Sequence, residues 1–327
     1  MSKFKLPFRL DKYKSIYIFT HIRPDGDAIG SSLALGGALK LQGKKVKILC
    51  ADEIPARYSF LPGVKNFQDS FSLHEGKGLA FVLDCNDLDR LGDLQGDVLK
   101  LDKIVNIDHH ITNDWFGDVH FIDPAASSTG EVVFRFIQDN DLKLNKEISL
   151  NLYVAIASDT GSFKYDNTTP LALQIAGELL KEGVSPSLVG RKLFDEYPLS
   201  TLLLLRDSLA TVQFDPTQKI IWMNVFEKML TKNKAKSAEL DGFINYLKSV
   251  QEAEVGVLFY HTDRGETKIG FRSKNIDVAS IAQSLGGGGH SRAAGVTISG
   301  KPENIVQNVL QVISAKLKES DILLPAK

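Results

Sequence analysis

Residues 79–84, LAFVLD, and residues 103–110, KIVNIDHH, carry the strongest indication of the fold. Each is a short run of apolar residues that ends in acidic or histidine side chains. Continuous apolar runs of this length are typical of strands buried on both faces of a parallel sheet. Ser15–Thr20 and Lys45–Cys50 are similar runs. We therefore predict a parallel sheet with polar side chains at the ends of its strands.

Segments with helical periodicity separate these strands. A loop, His21–Asp27, follows the first strand, and Ala28–Leu41 then has apolar residues at helical spacing. Ser128-Thr-Gly-Glu131 has the spacing of an N-terminal capping box, which predicts a helix as far as Gln138. Strands that alternate with helices predict an α/β domain. Further helices are predicted at Glu147–Ala157, Pro170–Glu182 and Ser200–Val212.

The second half of the chain has a different pattern. Prolines interrupt the helical segments between Gly183 and Asp215, which is typical of a domain boundary. We predict a parallel-sheet α/β domain in residues 1–185, a helical connector in 186–214 and a smaller α+β domain in 215–327, with the active cleft between the two domains. In the smaller domain we predict strands at Lys219–Phe226, Glu254–His261, Thr267–Arg272 and Ala293–Ile298, and helices at Ser237–Ser249, Val278–Leu285 and Pro302–Lys318.

Composition and charge exclude several classes of protein. The 39 basic and 40 acidic residues give a net charge of −1, whereas a protein that binds long duplex DNA usually needs a basic excess. No apolar run approaches the ~18 residues of a membrane-spanning helix, and the N-terminus does not resemble a secretory leader. Cys50 and Cys85 are expected to be buried reduced thiols. We therefore expect a cytoplasmic protein without a membrane segment.

Four segments place Asp or His at the end of a predicted strand or helix. Residues beyond the carboxyl ends of parallel strands converge on one crevice. Several carboxylates in one crevice would repel one another without a cation, and carboxylate oxygens mixed with imidazoles suit Mn²⁺ or Mg²⁺. The ligands exceed the need of one ion and favour two metals roughly 3.5–4 Å apart, as in phosphoester hydrolysis. The four segments are His21 with Asp25 and Asp27, Asp84, Asp108-His109-His110, and Asp159.

Each segment also has an ordinary structural interpretation. Pro24-Asp25-Gly26 is a strong turn signal, and Asp84 or Asp159 could cap a neighbouring element. The Asp108–His110 segment is less easily explained, because three titratable groups at the end of a buried strand cost free energy without partners. The four segments together are far more specific than any one of them.

A glycine run in the second half is a candidate anion site. Gly286–Gly289 could be a flexible linker, but its position between a predicted helix and strand favours backbone N–H groups that approach an anion. His290 would add a donor. Arg272 ends a predicted strand, and its planar guanidinium suits phosphate, although a solvated surface arginine is the alternative. The candidate substrate-binding residues are Arg272, Gly287, Gly288, Gly289 and His290.

These motifs, taken in order, resemble those of the DHH phosphoesterase family, which is named after the triplet at Asp108–His110. The stretch from Gly286 to Gly295 resembles the mark of the DHH-associated C-terminal domain, so that the resemblance covers nearly the whole chain. With no added nucleic-acid-binding module and no transmembrane helix, the chain is most similar to the stand-alone nanoRNase and pAp-phosphatase branch.

The resemblance implies a role for each site residue. Asp84 would bridge two Mn²⁺ ions, and the second domain would hold the terminal phosphate of the substrate. Asp108 and His110 would orient ligands or face the substrate. The implied metal ligands are His21, Asp25, Asp27, Asp84, His109 and Asp159, and the implied catalytic residues are Asp84, Asp108, His109 and His110.

The implied activity is a two-metal phosphodiesterase and phosphatase that depends on Mn²⁺, with Mg²⁺ as the other cation that would fit. Its substrates would be short oligoribonucleotides (nanoRNA) and 3′-phosphoadenosine 5′-phosphate (pAp). Two alternatives stay open, namely hydrolysis of linear or cyclic dinucleotides such as pApA and cyclic di-AMP, and a non-catalytic nucleotide sensor. We expect no binding to long duplex DNA or to membranes, and the sequence leaves a homodimer open.

Overall fold

The structure, a computed structural model, describes residues 3–71 and 78–323, with only the backbone described for residues 290 and 320–323. The chain divides into two units, Met1–Glu196 and Tyr197–Lys327. The division lies inside the segment 186–214 that the sequence analysis assigns to a connector. No helix in the described residues is long and apolar enough to cross a membrane.

The first unit contains a parallel sheet with the strand order β3-β2-β1-β4-β5-β6. The order reverses between β1 and β4, and open parallel sheets bind their ligands at such a point, beyond the carboxyl ends of the strands. This architecture confirms the predicted α/β fold class. Within the described residues the strands are β1 (Ser15–Thr20), β2 (Lys45–Leu49), β3 (Phe67–Gln68), β4 (Leu79–Leu83), β5 (Lys103–Asp108) and β6 (Val119–Ile122).

Helices cover both faces of this sheet. Ile16 and Ile18 of β1 belong to the larger core, whereas Tyr17 and Phe19 belong to the core on the opposite face. Burial on both faces explains why these strands are almost continuously apolar. The helices of this unit are α1 (Gly26–Leu41), α2 (Gln95–Val98), α3 (Thr129–Asp139), α4 (Lys146–Asp159), α5 (Pro170–Lys181) and α6 (Pro186–Gly190), with 3₁₀ turns at Leu10–Lys12, Ala56–Tyr58, Val64–Asn66 and Leu88–Leu94 and a π turn at Arg191–Asp195.

Glycines bring α1, α3 and α4 unusually close together. A Cβ atom on Gly30 would lie 2.5 Å from the carbonyl oxygen of Asn151, and one on Gly130 would lie 2.5 Å from the Cβ of Ala155. Real Cβ atoms do not approach other atoms this closely, so a larger residue would force the helices apart. Gly30 in the second turn of α1 and Gly130 in the first turn of α3 therefore lie directly against α4.

The second unit contains a mixed sheet with the order β11-β12-β10-β9-β8-β7, in which only β8 and β9 are parallel. Two cores lie against this sheet. Its described strands are β7 (Gln213–Phe214), β8 (Ile220–Phe226), β9 (Val255–His261), β10 (Glu266–Ser273), β11 (Gly288–His290) and β12 (Ala293–Ser299), and its helices are α7 (Leu199–Leu209), α8 (Glu227–Asn233), α9 (Phe243–Lys248), α10 (Val278–Ser284) and α11 (Pro302–Leu323).

Two sequence predictions of local structure were wrong. The helix predicted at Ser237–Ser249 is a 3₁₀ turn, Ser237–Leu240, followed by α9, because Gly242 between them has a left-handed backbone with φ of +87°. Asp27 lies in the first turn of α1 and not in a loop. No strand was predicted in the glycine run, whose end forms β11 because it pairs with β12. Cys50 and Cys85 are buried free thiols, as predicted.

Candidate metal centre

The segment after β1 supplies three of the predicted ligands. His21 follows the strand directly and is buried. Asp25 is the N-cap of α1, and its Oδ1 accepts hydrogen bonds from the backbone N–H groups of Asp27 (3.0 Å) and Ala28 (3.1 Å). Because an N-cap residue has a fixed side-chain direction, the start of α1 holds Asp25 and Asp27 at the carboxyl end of β1.

Asp84 follows the next strand in the sheet and lies between two histidines. Its Oδ2 is 3.5 Å from Nε2 of His21, and its Oδ1 is 3.8 Å from Nε2 of His109. Asp84 is 3% exposed and has a left-handed backbone with φ of +59°, a conformation that Asp adopts more readily than most residues. One carboxylate therefore presents one oxygen to each side of the centre.

The three side chains of the Asp108-His109-His110 triplet make different contacts. Asp108 ends β5 and is wholly buried, and its Oδ1 accepts hydrogen bonds from Nδ1 of His110 and from the backbone N–H of His109, both at 2.7 Å. Nδ2 of Asn113 donates to the other oxygen at 2.6 Å. Asp108 therefore orients His110, whereas His109 points to Asp159, with 3.4 Å between Nε2 and Oδ2.

Asp27 is fixed by the first turn of α3. Its Oδ2 accepts a hydrogen bond from the backbone N–H of Thr129 at 2.6 Å, and its Oδ1 accepts from the N–H of Gly130 at 2.8 Å and from the hydroxyl of Ser31 at 3.0 Å. In the sequence, Ser128–Glu131 indicates only a helix start, and this contact was not predicted. No local sequence signal reveals it, because Asp27 and Thr129 are far apart in the chain.

The side chains of the six predicted metal ligands, together with that of His110, meet in groups of three. In each group the nitrogen and oxygen donor atoms lie within 4.8 Å of one another. Asp84 belongs to two of the groups, one with His21 and Asp25 and one with His109 and His110. The groups among the described residues are His21 with Asp25 and Asp84, Asp27 with His109 and Asp159, and Asp84 with His109 and His110.

Proton affinities in this centre are strongly perturbed. Burial raises the pKa of Asp27 well above its usual value, and the neighbouring carboxylates of Asp84 and Asp159 raise it further. Burial also raises the pKa of Asp159, to about 7, against the opposing effect of His109. Buried carboxylates that repel one another retain protons unless a cation neutralises them. Oxygen and imidazole donors at this spacing fit a divalent cation such as Mn²⁺ or Mg²⁺.

The histidines respond in the opposite direction. Burial alone would lower the pKa of His110, but its hydrogen bond to Asp108 and the charge of Asp84 raise it to about 9. For His21 burial also opposes protonation, and the contact with Asp84 raises the pKa. In turn, although burial acts against ionisation of Asp84, the contact with His21 lowers the pKa of that carboxyl. Among the four carboxyls predicted as metal ligands, only that of Asp84 has a lowered pKa, whereas those of Asp25, Asp27 and Asp159 are raised.

The candidate substrate-binding residues lie in the second unit. Arg272 in β10 pairs with Ala293 in β12, which pairs with His290 in β11, so that these three backbone positions form one row across the sheet. Arg272 is half-buried, and its Nη1 donates to the carbonyl oxygen of Phe271 at 3.0 Å. Only the backbone of His290 is described. Gly288 and Gly289 lie in the same edge strand.

Comparison with known families agrees with these motifs. Residues 15–157 match the model of the DHH family, N-terminal domain, and residues 219–319 match that of the DHHA1 domain. The chain belongs to the DHH family. Members of this family are metal-dependent phosphoesterases, and the chain is accordingly an enzyme of the hydrolase class, as the sequence analysis predicted.

Relatives with a described activity match this chain over most of its length. A bifunctional oligoribonuclease and PAP phosphatase of Thermus thermophilus is 32% identical over 94% of this chain and 92% of its own. The protein of the same description from Bacillus subtilis is 27% identical over 88% and 90% of the two chains. The crystal structure of an exopolyphosphatase-related protein of Bacteroides fragilis superposes with a TM-score of 0.85, covers 97% of this chain and 95% of that one, and is 26% identical.

Proposed function

We propose that this chain uses two Mn²⁺ ions to hydrolyse short oligoribonucleotides and pAp. The observation that carries the proposal is the position of Asp84, whose two oxygens face His21 on one side and His109 on the other. Relatives that are described as oligoribonuclease and PAP phosphatase and that match about nine-tenths of the chain support the substrate class.

Two sets of ligands would hold the two cations. Bound there, the ions would activate water for attack on phosphorus and stabilise the charge that develops. Two Asp–His groups with a common carboxylate give each ion both oxygen and nitrogen donors, a combination suited to Mn²⁺. One ion would be held by His21, Asp25 and Asp84, and the other by Asp27, Asp84, His109 and Asp159.

The tautomer of His21 fits this role. Its Nδ1 lies 2.8 Å from the carbonyl oxygen of Ile22, to which it can donate only as Nδ1–H, and this tautomer leaves Nε2 with a lone pair for a cation. The guanidinium of Arg90, 3.3 Å from the same Nδ1, would favour the other tautomer, but that contact is longer. Cation binding would displace the proton that Asp84 otherwise helps His21 to retain.

His110 has a different role in the proposal. Its Nδ1 lies 2.7 Å from Oδ1 of Asp108, and in the absence of cations this contact and the charge of Asp84 raise its pKa to about 9, which favours the imidazolium form. The Nε2–H group is then available to donate to a phosphate oxygen, where a positive charge stabilises the negative charge that accumulates during hydrolysis. Asp108 therefore acts on the substrate only through His110.

The second unit would bind the terminal phosphate of the substrate. Arg272 offers a guanidinium, and the glycines of β11 expose backbone at the edge of the sheet. Gly288 supports this interpretation, because a Cβ atom there would meet no other atom within 4 Å. Packing therefore does not require a glycine at position 288, and the absent side chain leaves room for a ligand to approach the backbone.

A substrate panel tests the proposal. With Mn²⁺ present we expect turnover of pAp and of labelled RNA of two to ten nucleotides, with weaker turnover of pApA and cyclic di-AMP. Asp84→Asn should abolish turnover. Asp123→Asn is a matched control, because Asp123 is also buried but pairs with Arg135 and Lys3 and lies outside the donor groups. Preferred turnover of cyclic di-AMP, or none of any substrate, would contradict the proposal.

A further inference from the structure

Thr129 contacts two of the candidate metal ligands. It is the first residue of α3 and is wholly buried. Its backbone N–H donates to Oδ2 of Asp27 at 2.6 Å, and its hydroxyl donates to Oδ1 of Asp84 at 2.9 Å. A longer contact, 3.5 Å, joins the same hydroxyl to Oδ1 of Asp108. One residue thus links the segments that follow β1 and β4.

The hydroxyl of Thr129 is not needed to begin the helix. The N-cap is Ser128, whose hydroxyl accepts from the backbone N–H of Glu131 at 3.1 Å. The carboxylate of Glu131 accepts from the N–H and the hydroxyl of Ser127 at 3.0 Å and 2.9 Å. Because these contacts complete the start of α3, a buried hydroxyl at position 129 requires another explanation.

The hydroxyl of Thr129 is placed to restrain the rotation of the Asp84 carboxylate. Oδ1 of Asp84 faces His109 and Oδ2 faces His21, so rotation about the bond that carries the carboxylate would spoil both alignments. The hydrogen bond from the Thr129 hydroxyl to Oδ1 opposes this rotation. Because a carboxylate oxygen has two lone pairs, Oδ1 can accept this hydrogen bond and still bind a cation.

We propose that Thr129 is a positioning residue, which orients the carboxylate of Asp84 so that both cations bind. The inference rests on the proposed two-cation function. Partners that orient metal ligands typically contribute 10- to 100-fold to metal affinity, and Thr129 acts on the ligand common to both ions. Loss of its hydroxyl should therefore weaken the binding of both ions and not of one.

Calorimetric titration of Mn²⁺ into the metal-free protein tests this role without any turnover. Thr129→Val should lower Mn²⁺ affinity by roughly 10- to 100-fold. Thr129→Ser retains the hydroxyl and should bind Mn²⁺ as the wild type does. Thr201→Val is the matched control, because Thr201 is a buried threonine of the second unit whose hydroxyl donates to a carboxylate oxygen of Glu239 at 2.6 Å. This control should leave Mn²⁺ affinity unchanged.

A second variant and a second measurement guard against a folding defect. Thr129→Ala removes the hydroxyl without placing a methyl group against Asp84, and it should reproduce the loss seen with Thr129→Val. Turnover of pAp by both variants should recover at high Mn²⁺ concentration, because the defect lies in metal occupancy. A folded wild type that binds no Mn²⁺ would refute the proposed function itself. Two ions bound normally by Thr129→Val, or equal losses in Thr129→Val and Thr129→Ser, would overturn the positioning role alone.

Discussion

Alanine substitutions at two neighbouring glycines should separate packing from substrate binding. A Cβ atom on Gly289 would lie 2.5 Å from Cα of Ala294, and the backbone there has a φ of +141°. A Cβ atom on Gly288 would meet no atom within 4 Å, and its φ is not in the left-handed region. Gly289→Ala should therefore strain the β11–β12 pair, whereas Gly288→Ala should not.

The sizes of the two effects follow from these contacts. A strained backbone conformation costs about 1–3 kcal/mol, and a forced steric contact costs a similar amount, so Gly289→Ala should destabilise the pairing by at least about 2 kcal/mol. This free energy corresponds to a roughly 30-fold larger equilibrium constant for opening of the pair. Gly288→Ala should be neutral, or stabilising by about 0.4–1 kcal/mol through a less flexible unfolded chain.

Substrate binding should respond differently from stability. If the phosphate approaches the backbone at Gly288, the added methyl group would occupy its place. The loss of one charge-assisted hydrogen bond corresponds to about 1.5–3 kcal/mol, or a KM for pAp raised roughly 10- to 150-fold. Gly289→Ala should impair both properties.

Native-state hydrogen exchange over residues 286–296 and steady-state kinetics with pAp provide the two measurements. The expected pattern is fast exchange only in Gly289→Ala and a raised KM in both variants, with Mn²⁺ affinity unchanged. A normal KM in a well-folded Gly288→Ala would show that the substrate does not approach this strand. Unchanged exchange in Gly289→Ala would refute the packing argument.

Three further predictions concern recognition, substrate length and pH. Arg272→Ala should weaken pAp binding roughly 10- to 150-fold in titrations while Mn²⁺ affinity is kept, and loss of Mn²⁺ would refute its assignment to the substrate. RNA of two to five nucleotides should have a higher kcat/KM than a 24-mer, with only a modest salt dependence, because the net charge is −1; processive degradation of the 24-mer with a steep salt slope would contradict this. Burial lowers the pKa of His261, so the stability it contributes should be complete above its unfolded pKa of about 6.5 and be lost as pH falls below it; in urea unfolding, an equally steep decline in His261→Gln would show that His261 is not the cause.

The parallel sheet and its polar strand ends were predictable because the same pattern, an apolar run that ends in polar residues, indicates both. Residues 79–84 and 103–110 are apolar where the strands are buried and polar where they end. The topology of a parallel sheet then brings those ends to one edge. The structure accordingly brings Asp84 and His109 together, although their roles as metal ligands stay predictions.

Features that depend on contacts between distant segments were not predictable. The polar stretch before β6 hides that short strand, and β11 consists of residues with little strand propensity that pair only because β12 lies beside them. The contact of Thr129 with Asp27 and Asp84 is of the same kind. In the sequence, Thr129 is accounted for as the first residue of a helix, so nothing there indicates a contact with the metal centre.

Diffraction at the manganese absorption edge, from crystals grown with Mn²⁺, tests the central claim most directly. We expect two anomalous peaks roughly 3.5–4 Å apart, one on each side of Asp84, with the first beside His21 and the second beside His109. A single peak, or two peaks that do not share Asp84, would contradict it.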